Sequence, residues 1–198
     1  NMRVIGLTGG VGAGESRILA FLEETWGARV FQADEAGHRV MEAGTKVYEQ
    51  IAAYFGSEIL AKDGSIDRQA LGAQVFFDET KRNYLNGLIH PAVKALAEEE
   101  IAQERREGGK RLFVIEAALL IEDHYENICD ELWYVYADEK VRRERLKESR
   151  GYSEEKIQAI LDSQLTDGEF RKHCQAVIDN SGPEERTFEQ IQDLLRRL

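Results

Sequence analysis

Residues 3–16 read RVIGLTGGVGAGES: an apolar run, a glycine cluster, and a hydroxyl residue opening a helical pattern. RVIGL at 3–7 has the apolar and β-branched density of a buried strand. GGVGAGES at 9–16 fits the phosphate-loop template G-x-x-x-x-G-K-[ST] at Gly9, Gly14 and Ser16. Glycines here let backbone N–H groups along Gly9, Gly10, Val11, Gly12, Ala13 and Gly14 approach phosphate oxygens without interference from Cβ atoms. The helix that follows adds the partial positive charge of its amino terminus, and Ser16 supplies a hydroxyl for Mg²⁺. Position 15 departs from the template, with Glu15 where the template has lysine. A unit charge pair near 4 Å is worth about 4 kcal/mol at an effective dielectric of 20, so reversing the sign opposes phosphate binding. Arg17 restores a cation two residues on, but its side chain points about 200° away round a helix.

The same grammar recurs along the chain. Residues 29–31 (RVF), 111–115 (RLFVI), 131–136 (ELWYVY) and 176–178 (AVI) read as further strands. Amphipathic helix patterns cover 16–26, 35–42, 47–55, 79–106, 139–148, 153–163 and 184–198. Strands alternating with helices predict an α/β fold, a three-layer parallel sheet with helices on both faces. Right-handed crossovers then put the carboxyl ends of the strands, where ligands bind, along one edge. The segment 47–106 interrupts the alternation with helical pattern alone and predicts a helical subdomain within a single domain. His90–Pro91 falls inside the longest helical pattern, where proline is expected to break or restart the helix. Trp26, Phe55, Phe76, Phe77 and Trp133 read as core, and the run 98–100 (EEE) as a solvated helix face.

Composition narrows the function classes. The 198 residues carry 26 Lys+Arg against 37 Asp+Glu, a net charge of −11. Binding to a nucleic-acid backbone or an anionic membrane needs clustered cations, so neither is an expected partner. Hydrophobic content of 42% with two prolines excludes a disordered or low-complexity chain. Cys129 and Cys174 form no CxxC or metal-binding pattern, which predicts two incidental thiols in a reduced, cytoplasmic setting. No apolar run reaches the ~18 residues of a membrane span, and NMRVIGLTGG lacks the pattern of a secretory leader. Nothing in the sequence signals an oligomeric state.

GLTGGVGAGES is similar to GLTGGIGSGKS, the opening of the dephospho-coenzyme A kinases. FQAD at 31–34 resembles that family's D-A-D segment, with Gln32 at the first aspartate. DGSIDRQAL at 63–71, LIHPAV around His90–Pro91, and DNSG at 179–182 are further matches in the family's order. EAALLIE at 116–122 resembles a segment that carries Pro-Leu-Leu, with Ala118 at the proline position. The resemblance runs over nearly the whole length.

It implies a phosphate-loop kinase fold with its core at about 2–46 and 108–198. A helical substrate subdomain at about 47–107 and a lid at about 141–152 complete it. It implies transfer of the γ-phosphoryl group of ATP, with Mg²⁺, to the ribose 3′-hydroxyl of dephospho-coenzyme A in coenzyme A biosynthesis. Asp34 would then be the general base or orient that hydroxyl, although an aspartate before Glu35 also suits a helix cap. Arg145 and Arg150 fall in the lid and would stabilise the transferring phosphoryl group. A solvated basic face accounts for the same residues; Arg142, Arg143 and Lys147 beside them read as surface. Asn180 and Gly182 match a segment flanking the nucleotide base, with a helix-entry turn as the local alternative, and Arg39 and Arg68 are candidates for the acceptor site or for surface ion pairs. Glu15, Gln32 and Arg17 stand where the family has Lys, Asp and Thr. Three readings remain: an active kinase, a catalytically impaired member serving as a nucleotide- or ligand-binding module, and a kinase for another acceptor.

Overall fold

The computed structural model describes residues 1–198. Strands β1 (Arg3–Gly9), β2 (Arg29–Gln32), β3 (Leu112–Glu116), β4 (Glu131–Tyr136) and β5 (Ala176–Asp179) form one parallel sheet, ordered β2-β3-β1-β4-β5. β1 lies at its centre, with Leu7 opposite Glu116 on one side and Trp133 on the other. The continuous burial of β1, β3 and β4 is what a parallel sheet covered on both faces requires.

The chain divides into two compact units, residues 1–31 with 101–198, and residues 32–100. In the first, helices α1 (Glu15–Trp26) and α9 (Glu184–Arg196) cover one face of the sheet. Ile18, Leu22 and Ile191 meet Ile5, Leu7, Val114, Trp133 and Ile178 there, while Phe21 stacks on Phe188 at 4.0 Å. Full burial of such side chains contributes roughly 1.5–3 kcal/mol each, so this face anchors the unit. On the opposite face Phe170 of α8 (Asp167–His173) stacks on Tyr134 at 4.6 Å. The Tyr134 hydroxyl donates to Asp167, whose other oxygen accepts from Arg171. Helices α6 (Glu139–Arg150) and α7 (Glu154–Ser163) connect β4 to α8.

The second unit holds α2 (Ala33–Val40), α3 (Lys46–Phe55), α4 (Arg68–Phe76) and most of α5 (Glu79–Glu107). Val47, Ile51, Phe55, Ile59, Leu71 and Leu85 form its core. An isolated bridge between Leu60 and Ile66 is its one extended pairing, in line with the helical reading of the segment.

Several local expectations are corrected. α5 runs unbroken through Pro91. Proline removes one N–H from a 29-residue helix, and Leu85 and Val93, buried on either side, hold both flanking turns. Trp26, Phe76 and Phe77 are exposed, Phe77 by 91%, because they sit at helix ends beyond the buried stripe. Phe55 and Trp133 are core, as read. Glu100 is not a solvated charge: its side chain is 12% exposed and pairs with Arg39 at 3.0 Å. Two helices lack counterparts in the sequence reading. α4 starts on Asp67, whose carboxylate accepts from the amides of Gln69 and Ala70, and α8 starts on a Thr166–Glu169 capping box.

Pro91 is exposed, so replacing it opens no cavity. Pro91→Ala restores an amide donor and removes the ring's clash with the preceding turn, against a gain in unfolded-chain entropy. The variant is expected to be more stable by about 2 kcal/mol, read as a higher urea midpoint at unchanged slope.

Candidate functional site

β1 ends at Gly9 and α1 begins at Glu15, so residues 10–14 reverse the chain at the carboxyl edge of the sheet. Gly12 and Gly14 hold φ of +85° and +89°, the left-handed region that side chains rarely adopt. Ala13 N–H closes the turn onto the Gly10 carbonyl at 3.0 Å. Gly14 caps α1 without a side-chain acceptor. The amino-terminal dipole of α1 is therefore available to an anion.

The outer side of the loop is held by α6 and by the end of β5. Arg142 and Arg145 are three residues apart on α6 and share a face, with buried Leu146 beside them. Arg145 donates to the carbonyls of Gly12 (3.2 Å), Ala13 (3.0 Å) and Asn180 (2.7 Å). Asn180 donates from its side-chain amide to the Ala13 carbonyl at 2.7 Å and accepts from Thr187 at 2.8 Å. Arg142 donates through Nε to the Val11 carbonyl at 3.0 Å and through Nη2 to Gln164 at 2.8 Å. A Cβ at Gly10 would overlap the Arg142 guanidinium, and one at Gly12 would lie 2.9 Å from the Arg142 carbonyl oxygen. Three of these glycines are therefore demanded by packing or conformation.

Of the predicted nucleotide residues, Gly14, Arg17, Asn180 and Gly182 line one cleft of about 350 Å³ with the predicted lid residue Arg145, against Phe188. Arg17 is 76% exposed and pairs with Glu184 at 3.6 Å, on the far side from Glu15, as the helical geometry predicts. Ser16 is exposed in the first turn of α1, and its hydroxyl makes no hydrogen bond within the protein. Arg150 is exposed beside the Tyr152 ring, 5.8 Å from its centroid. Glu15 is half-buried, with its carboxylate folded back beside Gly9. Burial pushes the Glu15 carboxyl above the usual range. Its own backbone N–H and then Arg142, Arg150 and Arg145 oppose that shift without cancelling it.

In the second unit Asp34 is the second residue of α2, exposed and without a hydrogen bond to the protein. It does not cap the helix, which starts a residue earlier with Gln32 at the cap position. Arg39 and Arg68 line one cleft of about 390 Å³ with Glu35, His38 and Glu42.

Arg142 and Gln164 are the site residues that sequence reading missed. Arg142 is not a surface cation but sits on the loop, while Arg143 pairs outward with Glu139 and Glu154, as its surface reading implied. Nothing in the local sequence marks Gln164, which touches a loop 153 residues away. Glu116 ends the strand beside β1, in register with Leu7.

A carboxyl whose pKa rises on folding binds protons more tightly in the native state, so stability falls as pH rises through that window. Glu15→Gln removes the cost. The variant is expected to be more stable than wild type at neutral pH, with the difference closing as pH falls towards about 4, the ordinary glutamate range. Urea midpoints of the two proteins across that interval check this.

A family model described as dephospho-CoA kinase matches residues 3–185. The dephospho-CoA kinase of Geobacillus kaustophilus is 39% identical over 195 residues, covering 98% of this chain and 95% of the relative. Among solved structures, a Thermus thermophilus protein superposes with a TM-score of 0.83 at 28% identity, covering 100% of this chain and 98% of that one. The dephospho-CoA kinase of Campylobacter jejuni superposes with a TM-score of 0.72 at 24% identity, covering 98% and 96%, and supports the fold alone. The fold is thus of the phosphate-loop kinase type. With the match spanning the loop, the sheet and the helical segment, the chain belongs to the dephospho-CoA kinase family.

Proposed function

We propose that this chain transfers the γ-phosphoryl group of ATP to the ribose 3′-hydroxyl of dephospho-coenzyme A. The observation that carries the reading is the left-handed glycine loop between the central strand and α1, roofed by Arg142, Arg145 and Asn180. The 3′-oxygen attacks the γ-phosphorus while the bond to the β,γ-bridging oxygen breaks and ADP leaves. The hydroxyl proton passes to the Asp34 carboxylate, which no protein hydrogen bond engages. Arg145 and Arg150, in a lid at 141–152, balance charge on the transferring group. Arg39 of α2 and Arg68, the latter in a helical part at 47–107, face the anionic acceptor, and Asn180 and Gly182 flank the nucleotide base.

Magnesium fits the donor set in a limited way. No group of three or more His, Cys, Asp or Glu side chains gathers to form a protein cage. Mg²⁺ keeps waters and substrate phosphates as ligands, so the Ser16 hydroxyl, exposed and unengaged in the first turn of α1, would suffice to hold it. Bound there, it would neutralise charge on the β and γ phosphates.

A second reading is favoured by one observation, the half-buried Glu15 carboxylate inside the loop. In that reading the protein binds a nucleotide or related ligand without efficient transfer. A coupled turnover assay with ATP and dephospho-coenzyme A, alongside calorimetry with ATP, coenzyme A and dephospho-coenzyme A, separates the two. Turnover of about 1 s⁻¹ or more supports the kinase. Heat with a nucleotide but no turnover supports the binding module, and no heat with any ligand sinks both. In an active enzyme, Asp34→Asn is expected to lower kcat by roughly 10²- to 10⁴-fold with ATP affinity retained.

A further inference from the structure

A phosphate loop with glutamate in its seventh position needs a cation from elsewhere if it is to hold a polyphosphate. Four arginines lie near enough to be considered, and their partners sort them. Arg17 points into solvent, 76% exposed, and meets Glu184. Arg150 is exposed beside Tyr152 at the end of α6. Arg145 gives three of its five N–H donors to backbone carbonyls, so it staples the loop to the end of β5 and keeps two for the transferring group. Arg142 differs from all three. It lies against the Cα of Gly10, and only Nε and one Nη2 hydrogen are engaged. Three of its five N–H donors remain for a ligand at the loop.

Gln164 fixes that arrangement. Its side-chain oxygen accepts from the Val11 amide at 3.2 Å and from Arg142 Nη2 at 2.8 Å, while Arg142 Nε returns to the Val11 carbonyl at 3.0 Å. The Val11 peptide is thus held at both its N–H and its C=O. The acceptor is a neutral amide, so the guanidinium is oriented without its charge being neutralised; a carboxylate in the same place would accept both bonds and quench the cation.

We infer that Arg142 supplies the phosphate-binding charge that position 15 lacks, and that Gln164 is the positioning residue that holds it over the loop. The inference rests on the reading that the loop binds the phosphates of a nucleotide, and it is independent of which acceptor is phosphorylated.

The test is calorimetric affinity of the full chain for ADP with Mg²⁺, with thermal melting as the control for folding. Arg142→Gln is expected to weaken ADP binding roughly 10- to 100-fold, the loss of a charge-assisted contact. Gln164→Glu, which preserves both hydrogen bonds, is expected to weaken it about tenfold by neutralising the guanidinium. Glu15→Lys should tighten binding, and in the Arg142→Gln background it should restore affinity to about the wild-type value. The inference is overturned if either Arg142→Gln or Gln164→Glu, correctly folded, binds ADP as wild type does. It is also overturned if Glu15→Lys tightens binding alone but fails to rescue Arg142→Gln, since Arg142 would then act only by shaping the loop. If Arg142→Gln does not fold, the Gln164→Glu result decides. Wild-type protein that binds no ADP overturns the nucleotide reading itself, a result distinct from a variant that binds unchanged.

Discussion

Backbone carbonyls in a glycine turn, held by guanidinium and amide donors from distant parts of the chain, are the contact on which the site depends. The left-handed peptides at Gly12 and Gly14 turn carbonyls of the loop outward, where Arg145 and Asn180 reach Gly12 and Ala13. Buried carbonyls left without partners are costly, so a loop of this shape needs such donors. Because the donors come from α6 and the end of β5, the loop is tied to both. Any side chain at Gly10 or Gly12 would separate them.

The same contacts explain how an acidic protein keeps a positive site. A whole-chain charge of −11 sets the average surface, while three arginines act together on Glu15 at the loop. Their influence lowers the energy of the carboxylate there, but burial outweighs it. Position, not total, decides the local potential, because interactions between solvated charges fade beyond about a Debye length of 8–10 Å. An arginine held by a neutral glutamine keeps its full charge, whereas Arg39, paired with a nearly buried Glu100, does not offer the same field.

Much of the fold was legible because its signals are short-range. All five strands were readable from apolar runs, and the seven helical patterns from their periodicity. α8 also had a readable signal, the Thr166-x-x-Glu169 capping box, and α4 had Asp67 before its first turn. Both helices are short and bury little apolar surface, which is why periodicity passed over them. The break expected at Pro91 did not occur, since tertiary packing of its flanking turns exceeds one lost hydrogen bond. The exposure of Phe76 and Phe77 was likewise invisible, because residue type alone does not tell which side of a helix end meets the core.

The division at the site follows the same physical line. Glycine conformation, loop spacing, helix polarity and the odd glutamate are properties of neighbouring residues, so the chain declares them without being folded. Arg142 and Arg143 are adjacent and chemically alike, yet one lies on the loop and the other pairs with outward carboxylates. Which arginine does which depends on the direction in which α6 leaves β4 and on the return of Gln164 from the end of α7. Those contacts join positions 131 and 153 residues apart, and only the assembled parallel sheet brings them together.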